Sequence, residues 1–283
     1  MSKVLACIDD SAYATSVCDL AAWVSRRIDL PVELLHVVQR NDAVAQRRDL
    51  SGAIGLGAKS DLLEELTRID EADARLQIER GRILLAAMTE RLEMGGVTDI
   101  TPLHRHGGIV ETILERETDA RVIVIGKRGA SHEFAPAHIG SNIERVVRAS
   151  GKPVLIASRT VEPPQSVVLA YDGSKAADRA LERVTNSPVF AGLPVHVVTV
   201  GPDDDKHRKL LDTARSALVG DRSVELTVVD GKADVAIAEV VERSPQSLLV
   251  MGAYGHSPLR TLIVGSTTTT LIRTVHVPVL LVR

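Results

Sequence analysis

The sequence predicts an α/β protein of two tandem doubly wound domains, each a five-stranded parallel sheet with helices on both faces. Three observations lead there. Apolar runs of four to six residues alternate with stretches of helical periodicity, the pattern of a parallel sheet covered on both sides. The alternation occurs twice in the same order: the run from Val4 to Ser11 matches that from Val167 to Ser174, Leu35-His36-Val37 matches Val198-Thr199-Val200, and Pro153-Val154-Leu155-Ile156 matches Pro278-Val279-Leu280-Leu281. Finally, 283 residues make two domains of ordinary size, each able to bury a core.

The first copy supplies the elements in order. Val4 to Ile8 is the first strand, and Val17, Leu20, Ala21, Val24 and Ile28 fall at helical spacing behind it, with Ser11 as N-cap. Val32 to Val38 is the second strand, a long helix spans about Asp61 to Leu92, and a third strand lies near Thr98 to Leu103. Ile109 to Glu117 reads as a helix before strand Val122 to Ile125, and Ile143 to Arg148 as a helix before strand Val154 to Ala157. Crossovers of the usual hand then close the sheet. Asp9 and Asp172 lie 163 residues apart, as do Val37 and Val200, whereas Gly126 and Gly252 lie 126 apart. The first copy therefore carries 37 extra residues after Val37, an insert at about 39–75. It leaves the sheet at the rim where a ligand is expected, so it is expected to cover or fill the first domain's crevice. The expected domains are 1–159 and 160–283, since Arg159-Thr160-Val161-Glu162-Pro163-Pro164 interrupts both helix and strand. So short a linker predicts domains in contact.

Composition removes whole classes of function. A formal net charge of −3 gives no basic field for nucleic acid, and 2% aromatic residues leave few platforms for stacking bases. Apolar stretches stay well short of the roughly 20 residues of a membrane span, and the chain opens on a strand pattern instead of a signal peptide. A soluble cytoplasmic protein is expected. Two cysteines, Cys7 in a strand and Cys18 on a helix, suit a reducing compartment and read as small core residues.

Function concentrates at two glycine loops. Leu248 to Met251 leads into Gly252-x-x-Gly255, and nine residues later come Gly265 and Ser266. Gly126, Gly129, Gly140 and Ser141 repeat the pattern with ten residues between the second and third glycines, Pro136 among them. A strand that ends in a glycine loop opening a helix is a place to hold phosphate, because backbone N–H groups approach without an intervening Cβ and the helix N-terminus is partially positive. Ligands of doubly wound sheets bind outside the carboxyl ends of the strands. Asp9 or Asp172, closing each first strand, and the glycine loop after each fourth strand are thus expected to face one crevice. Lys127 and Arg128 are candidates to neutralise phosphate, against a plainer reading as solvated loop charges.

On these residues the chain resembles the universal stress protein family in its tandem form. The resemblance rests on the acidic residue closing the first strand, the Leu-His-Val second strand, the glycine loop and a last strand introduced by proline. It implies an adenine nucleotide alpha hydrolase-like, Rossmann-like fold that binds ATP, with magnesium, in stress survival and signalling, usually without efficient catalysis. Carried over, the ligand contacts fall on Ala170, Asp172, Val200, Met251, Gly252, Gly255, Gly265, Ser266 and Thr267 of the second domain. The weaker set in the first domain is Asp9, Val37, Gly126, Gly129, Gly140 and Ser141, where the longer loop departs from the family spacing.

Other motifs give less. The stretch from Gly52 to Ser60 imitates a P-loop, but Ala58 separates glycine from lysine, and it reads as loop within the insert. His104, His106, His132, Glu133 and His138 lack a defined zinc spacing, and a G-x-S-x-G elbow is absent. No catalytic residue or metal ligand is assigned. The alternatives to an ATP-binding signalling module are a slow ATPase or adenylate-handling enzyme, and a tandem protein holding a non-nucleotide ligand. The last strands, Val154 to Ala157 and Val279 to Val282, are apolar edges expected to pair the two domains in the manner of a fused dimer, with a homodimer also open.

Overall fold

The computed structural model describes residues 2–38, 56–129, 141–218, 220, 222–253 and 266–283. The first half consists of β1 (Lys3–Ile8), α1 (Ala14–Ile28), β2 (Val32–Val38), α2 (Leu56–Met94), β3 (Ile100–His106), α3 (Ile109–Arg116), β4 (Ala120–Gly126), α4 (Ser141–Ala149) and β5 (Val154–Ala157). The second half follows with β6 (Ser166–Ala170), α5 (Lys175–Asn186), β7 (Val195–Val200), α6 (Asp205–Ala217), β8 (Val224–Val229), α7 (Ala233–Glu242), β9 (Ser247–Gly252), α8 (Ser266–Thr274) and β10 (Val279–Val282). Short 3-10 turns, Glu117–Asp119 and Pro188–Phe190, follow α3 and α5.

All ten strands form one sheet in the order β3-β2-β1-β4-β5-β10-β9-β6-β7-β8. Within each half every pairing is parallel. At the centre β5 and β10 pair antiparallel, with Val279 opposite Ile156, Leu280 opposite Leu155 and Leu281 opposite Val154. Both strands are buried throughout, which explains their uninterrupted apolar sequences. Two apolar layers cover the sheet. One lies beneath α1, α2, α5 and α6, the other beneath α3, α4, α7 and α8, and each contains residues of both halves.

Three elements differ from their sequence reading. Strand β3 extends to His106 because β2 and β3 stay in register from Val32 opposite Ile100 to Val38 opposite His106, and pairing overrides the polar composition of the strand. Residues 56–60 belong to α2 and not to a loop, while the rest of the P-loop-like stretch and the proposed lid, 39–55, lie outside the described residues. Ser11 does not cap α1. Its Oγ accepts from the Tyr13 N–H at 3.3 Å, the Ala14 N–H bonds to its carbonyl, and the helix begins only after that extra turn, with Tyr13 as N-cap. Ser174, the matching residue, does cap α5 through the Ala177 N–H at 3.2 Å.

Helix α2 is 39 residues long, roughly 58 Å at 1.5 Å per residue, so it overhangs the strands it crosses. Its C-terminal part is anchored by Arg91, whose guanidinium donates to both Asp19 carboxylate oxygens on α1 at 2.8 and 2.7 Å. Upstream, Ile69, Leu76, Ile78 and Ile83 are exposed.

The seam between the halves carries polar ties as well. Ser158 Oγ donates to the Val277 carbonyl at 2.7 Å, and Arg27 of α1 donates to the carbonyls of Val189 and Ala191 beyond α5. Lys127 is neither a phosphate ligand nor a solvated loop charge. It is buried, and its Nζ donates at 2.7 Å to the Val275 carbonyl just past α8, where the helix dipole is negative.

Burial, with the nearby Arg128 charge second, lowers the Lys127 pKa from 10.5 to about 8. Between those values the unfolded chain binds a proton that the folded chain has released, so this residue makes stability rise with pH across that window and contributes no slope below it. The unfolding free energy of wild type minus that of Lys127→Met, measured by urea titration, should therefore increase between pH 8 and 10.5 and stay flat from pH 6 to 7.5.

Candidate functional site

In each half the strand order turns outward in both directions from the first and fourth strands, β1 and β4 or β6 and β9. Their carboxyl ends form the switch point of a doubly wound sheet. In the second half this point is well assembled. Ala170, last in β6, lies opposite Met251 of β9, and both contribute to the same apolar layer, with Val200 packed partly against it. Asp172 follows two residues after Ala170, and Val200 two residues after Val198, the register partner of Ala170. The carboxylate and the valine thus reach the same rim.

The turn carrying Asp172 is locked from several directions. Asp172 Oδ1 accepts from the Ser174 N–H at 2.9 Å, Thr199 Oγ1 donates to the Tyr171 carbonyl at 2.9 Å, and the Tyr171 hydroxyl donates to Asp178 Oδ1 at 2.7 Å. Burial, with the Asp178 carboxylate behind it, raises the Tyr171 phenol above its ordinary pKa and keeps it a donor. Among the described residues Asp172 Oδ2 has no hydrogen-bond partner, and the residue is exposed. Tyr171, Thr199 and Asp178 escaped the sequence reading. Each looks ordinary for its element, and only the distance of Thr199 and Asp178 from Tyr171 in the folded chain reveals the lock.

Gly252 has a different neighbour from the one expected. A Cβ there would stand 2.7 Å from the Ala176 carbonyl carbon and 2.8 Å from the Ala177 nitrogen, so glycine is required for the end of β9 to pack on the first turn of α5. Gly126 is similar: its Cβ would stand 2.6 Å from that of Tyr13. Helix α8 returns the chain from the carboxyl end of β9 to the amino end of β10, which puts Ser266 and Thr267, its first two residues, at the rim shared by Gly252 and Asp172. Gly255, Gly265 and Gly140 lie outside the described residues.

In the first half Asp9 and Gly129 come together. Asp9 Oδ1 accepts from the Ser11 N–H at 3.2 Å, and a Cβ on Gly129 would stand 2.8 Å from Asp9 Oδ2. The loop leaving β4 therefore rests on the Asp9 carboxylate. Val37 is buried in the same layer as Cys7 and Ile125, and Ser141 opens α4. On the other face, His36 and His104 stand in register on β2 and β3, ring centroids 5.0 Å apart, with His106 5.5 Å beyond His104. Among the described residues His36 Nδ1 and His104 Nε2 are buried without hydrogen-bond partners, beneath Gly81 of α2, whose missing Cβ would fall 2.7 Å from the His104 ring. Among the described residues no group of three or more His, Cys, Asp or Glu is placed to hold a metal ion; His132, Glu133 and His138 lie outside them. Both cysteines are buried, and desolvation pushes the Cys18 thiol up to about 12 and Cys7 upward too, as core residues behave. No helix among the described residues is long and apolar enough to cross a membrane.

Two five-stranded parallel α/β units, each with an acidic turn after its first strand and a glycine exit from its fourth, define a tandem Rossmann-like protein. The universal stress protein family profile matches residues 1–158 and 203–283. Universal stress protein Slr1230 of Synechocystis sp. is 31% identical over 287 residues, covering 100% of both chains. The chain belongs to the universal stress protein family. Its fold is similar to that of a universal stress protein from Archaeoglobus fulgidus, at 23% identity and TM-score 0.73 over 99% of this chain and 96% of that one. A putative universal stress protein from Pseudomonas aeruginosa aligns at 16% identity and TM-score 0.64 over 100% and 93%.

The histidine pair gives this half a pH dependence. Burial, then the charge of neighbouring histidines, lowers the pKa values of both His36 and His104, with Asp9 and Asp10 opposing this at His36. A histidine lowered on folding contributes its full stability above the unfolded value, near 6.5, and loses it as acid protonates the unfolded chain first. Urea titrations at pH 7.5 and 5 should show a stability loss on acidification that is smaller in His36→Gln.

Proposed function

We propose that this protein is a nucleotide-binding stress-response module, divided at 1–159 and 160–283, whose second domain holds ATP with magnesium and whose first domain is a weaker or differently liganded partner. One arrangement supports the reading: Asp172 and Val200 follow the carboxyl ends of the neighbouring strands β6 and β7 beside the β6/β9 switch point, and α8 leads from the carboxyl side of β9 to β10, in the half that keeps the nine-residue glycine spacing. Asp172 would meet the ribose hydroxyls through the oxygen its turn leaves unengaged. Val200, with Ala170 and Met251 behind it, would offer an apolar edge to adenine. Gly255, Gly265, Ser266 and Thr267 would meet the phosphates through backbone N–H groups and hydroxyls. Magnesium suits such a site because it binds chiefly through nucleotide phosphates and water, without a dedicated cluster of protein ligands.

The first domain supports the asymmetry. With Gly129 resting on Asp9, a nucleotide there would have to displace the loop from the carboxylate. The buried, unlinked cysteines are in keeping with a cytoplasmic protein.

Mass spectrometry of ligand released from freshly purified protein should find adenine nucleotide, and calorimetry with magnesium and ATP should give one tight site. Gly255→Val should weaken it more than tenfold by putting a branched side chain where backbone meets phosphate. Asp172→Asn, which keeps the acceptor for Ser174, should cost about tenfold, the difference between a charge-assisted and a neutral hydrogen bond. Gly252 is unsuitable for this test because any side chain there strikes α5 first. Full affinity in Gly255→Val, with loss on changing Gly129, would reverse the assignment of domains. Phosphate release under saturating ATP distinguishes a binder from a slow ATPase.

We further propose that the β5–β10 seam holds the domains together in solution. Separately expressed 1–159 and 160–283 should then associate in sedimentation experiments; halves that ignore each other at high concentration would refute it.

A further inference from the structure

Between α1 and α5, over the seam, lies a cavity of about 250 Å3. Its floor takes one residue from each of the four central strands, Val122, Leu155, Leu280 and Leu248, and Trp23 and Phe190 form walls. All six are 8% exposed or less, so the interior is apolar. The lining lies at the amino ends of β4, β5 and β9, at the opposite ends of those strands from Gly126 and Gly252. It is separate from the proposed nucleotide crevice, and nothing below rests on that reading.

Two arginines complete the lining, Arg121 at the start of β4 and Arg183 in the last turn of α5. Arg121 is exposed and Arg183 half-buried, so the charge sits at the mouth. Among the described residues neither guanidinium makes an ion pair or a hydrogen bond. The acid that acts on Arg183 is its chain neighbour Glu182, which is exposed and does not pair with it. Burial, with the charge of Arg121 second, lowers the Arg183 pKa. Two like charges lining the mouth of one apolar hole, neither with a partner among the described residues, form an arrangement that folding alone does not favour. An anion between them relieves it, and guanidinium forks suit carboxylate or phosphate oxygens.

We propose that this cavity binds a single-chain amphiphile, its carboxylate or phosphate head held by Arg121 and Arg183 and its hydrocarbon tail lying on Leu155 and Leu280. Size sets the tail. A 150 Å3 apolar cavity accepts the six carbons of benzene, and by the same ratio this one accepts a chain of about ten carbons. Because Leu155 and Leu280 are register partners across the seam, the occupant contacts both halves at once.

Trp23 is the sole tryptophan and lines the cavity, so its emission reports occupancy in the unmodified protein. Decanoate and decyl phosphate, titrated below their micellar concentrations, should each change Trp23 emission saturably with one site per chain. The tighter of the two identifies the head group. Decanol and decyltrimethylammonium, with the same tail, should bind at least tenfold more weakly. The double variant R121Q/R183Q should lose about tenfold or more for the anions and leave decanol unchanged. Trp23 emission indifferent to both anions would overturn the proposal. So would decanol binding as tightly as decanoate, or a double variant that retains full anion affinity in a folded protein.

Discussion

The antiparallel pairing of β5 with β10 is the constraint on which the rest of the molecule depends. Each half, taken alone, ends its sheet on a four-residue strand that is apolar on both faces. Such an edge leaves backbone donors and acceptors unpaired and apolar side chains without cover. Joined, the two edges complete each other, and the apolar layers on both faces become continuous from one half to the other. The crossing ties at Lys127, Ser158 and Arg27 all end on carbonyl oxygens of the second half. Those of Lys127 and Ser158 satisfy buried main-chain carbonyls, whereas those of Arg27 lie nearer the surface, so all three follow from the pairing without causing it.

Within this frame duplication has not produced symmetry. Lys127 follows the first half's fourth strand, and Ala253 stands in its place in the second. Both N–H groups make the same bond, Lys127 to the Ala157 carbonyl and Ala253 to the Val282 carbonyl, so the backbone is conserved through the change. Only the side chain differs, and that of Lys127 crosses to the second half. The acidic turns diverge likewise. Ser174 caps α5 directly, whereas the first half inserts a turn that brings Tyr13 under Gly126 and leaves Gly129 against Asp9. The two acidic turns thus share a scaffold and differ in how they lead into the following helix.

The sheet was legible because its evidence is local and repeated: apolar runs with fixed order, read twice, leave little freedom in strand number or class. Composition bounds β2 correctly but ends β3 too early, because His104-Arg105-His106 is polar and becomes strand only by pairing with β2. The lock around Tyr171 was not legible, since Asp178 looks like an ordinary helix residue and Thr199 reaches the Tyr171 carbonyl only across 28 residues of chain. Lys127 misled for a related reason. A lysine after a glycine in a phosphate-loop pattern suggests an anion, and only the seam reveals a carbonyl 148 residues away as its partner.

The glycines have a packing role that the sequence reading does not anticipate. Gly126 and Gly252 are singled out because phosphate sites need backbone without side chains, yet the excluded Cβ would strike the first turn of α5 at Gly252 and the Tyr13 N-cap of α1 at Gly126. The two requirements share one origin. A doubly wound sheet can expose a helix N-terminus at its switch point only if the neighbouring fourth strand ends flush against that helix, and a residue without a side chain permits this. Packing at Gly252 therefore fixes the end of β9 against the first turn of α5, beside the turn that carries Asp172. A glycine pattern of this kind identifies where a ligand can sit. The chemistry of that ligand has to be read from the side chains around it, here an exposed carboxylate, an apolar strand end and two hydroxyls at a helix start.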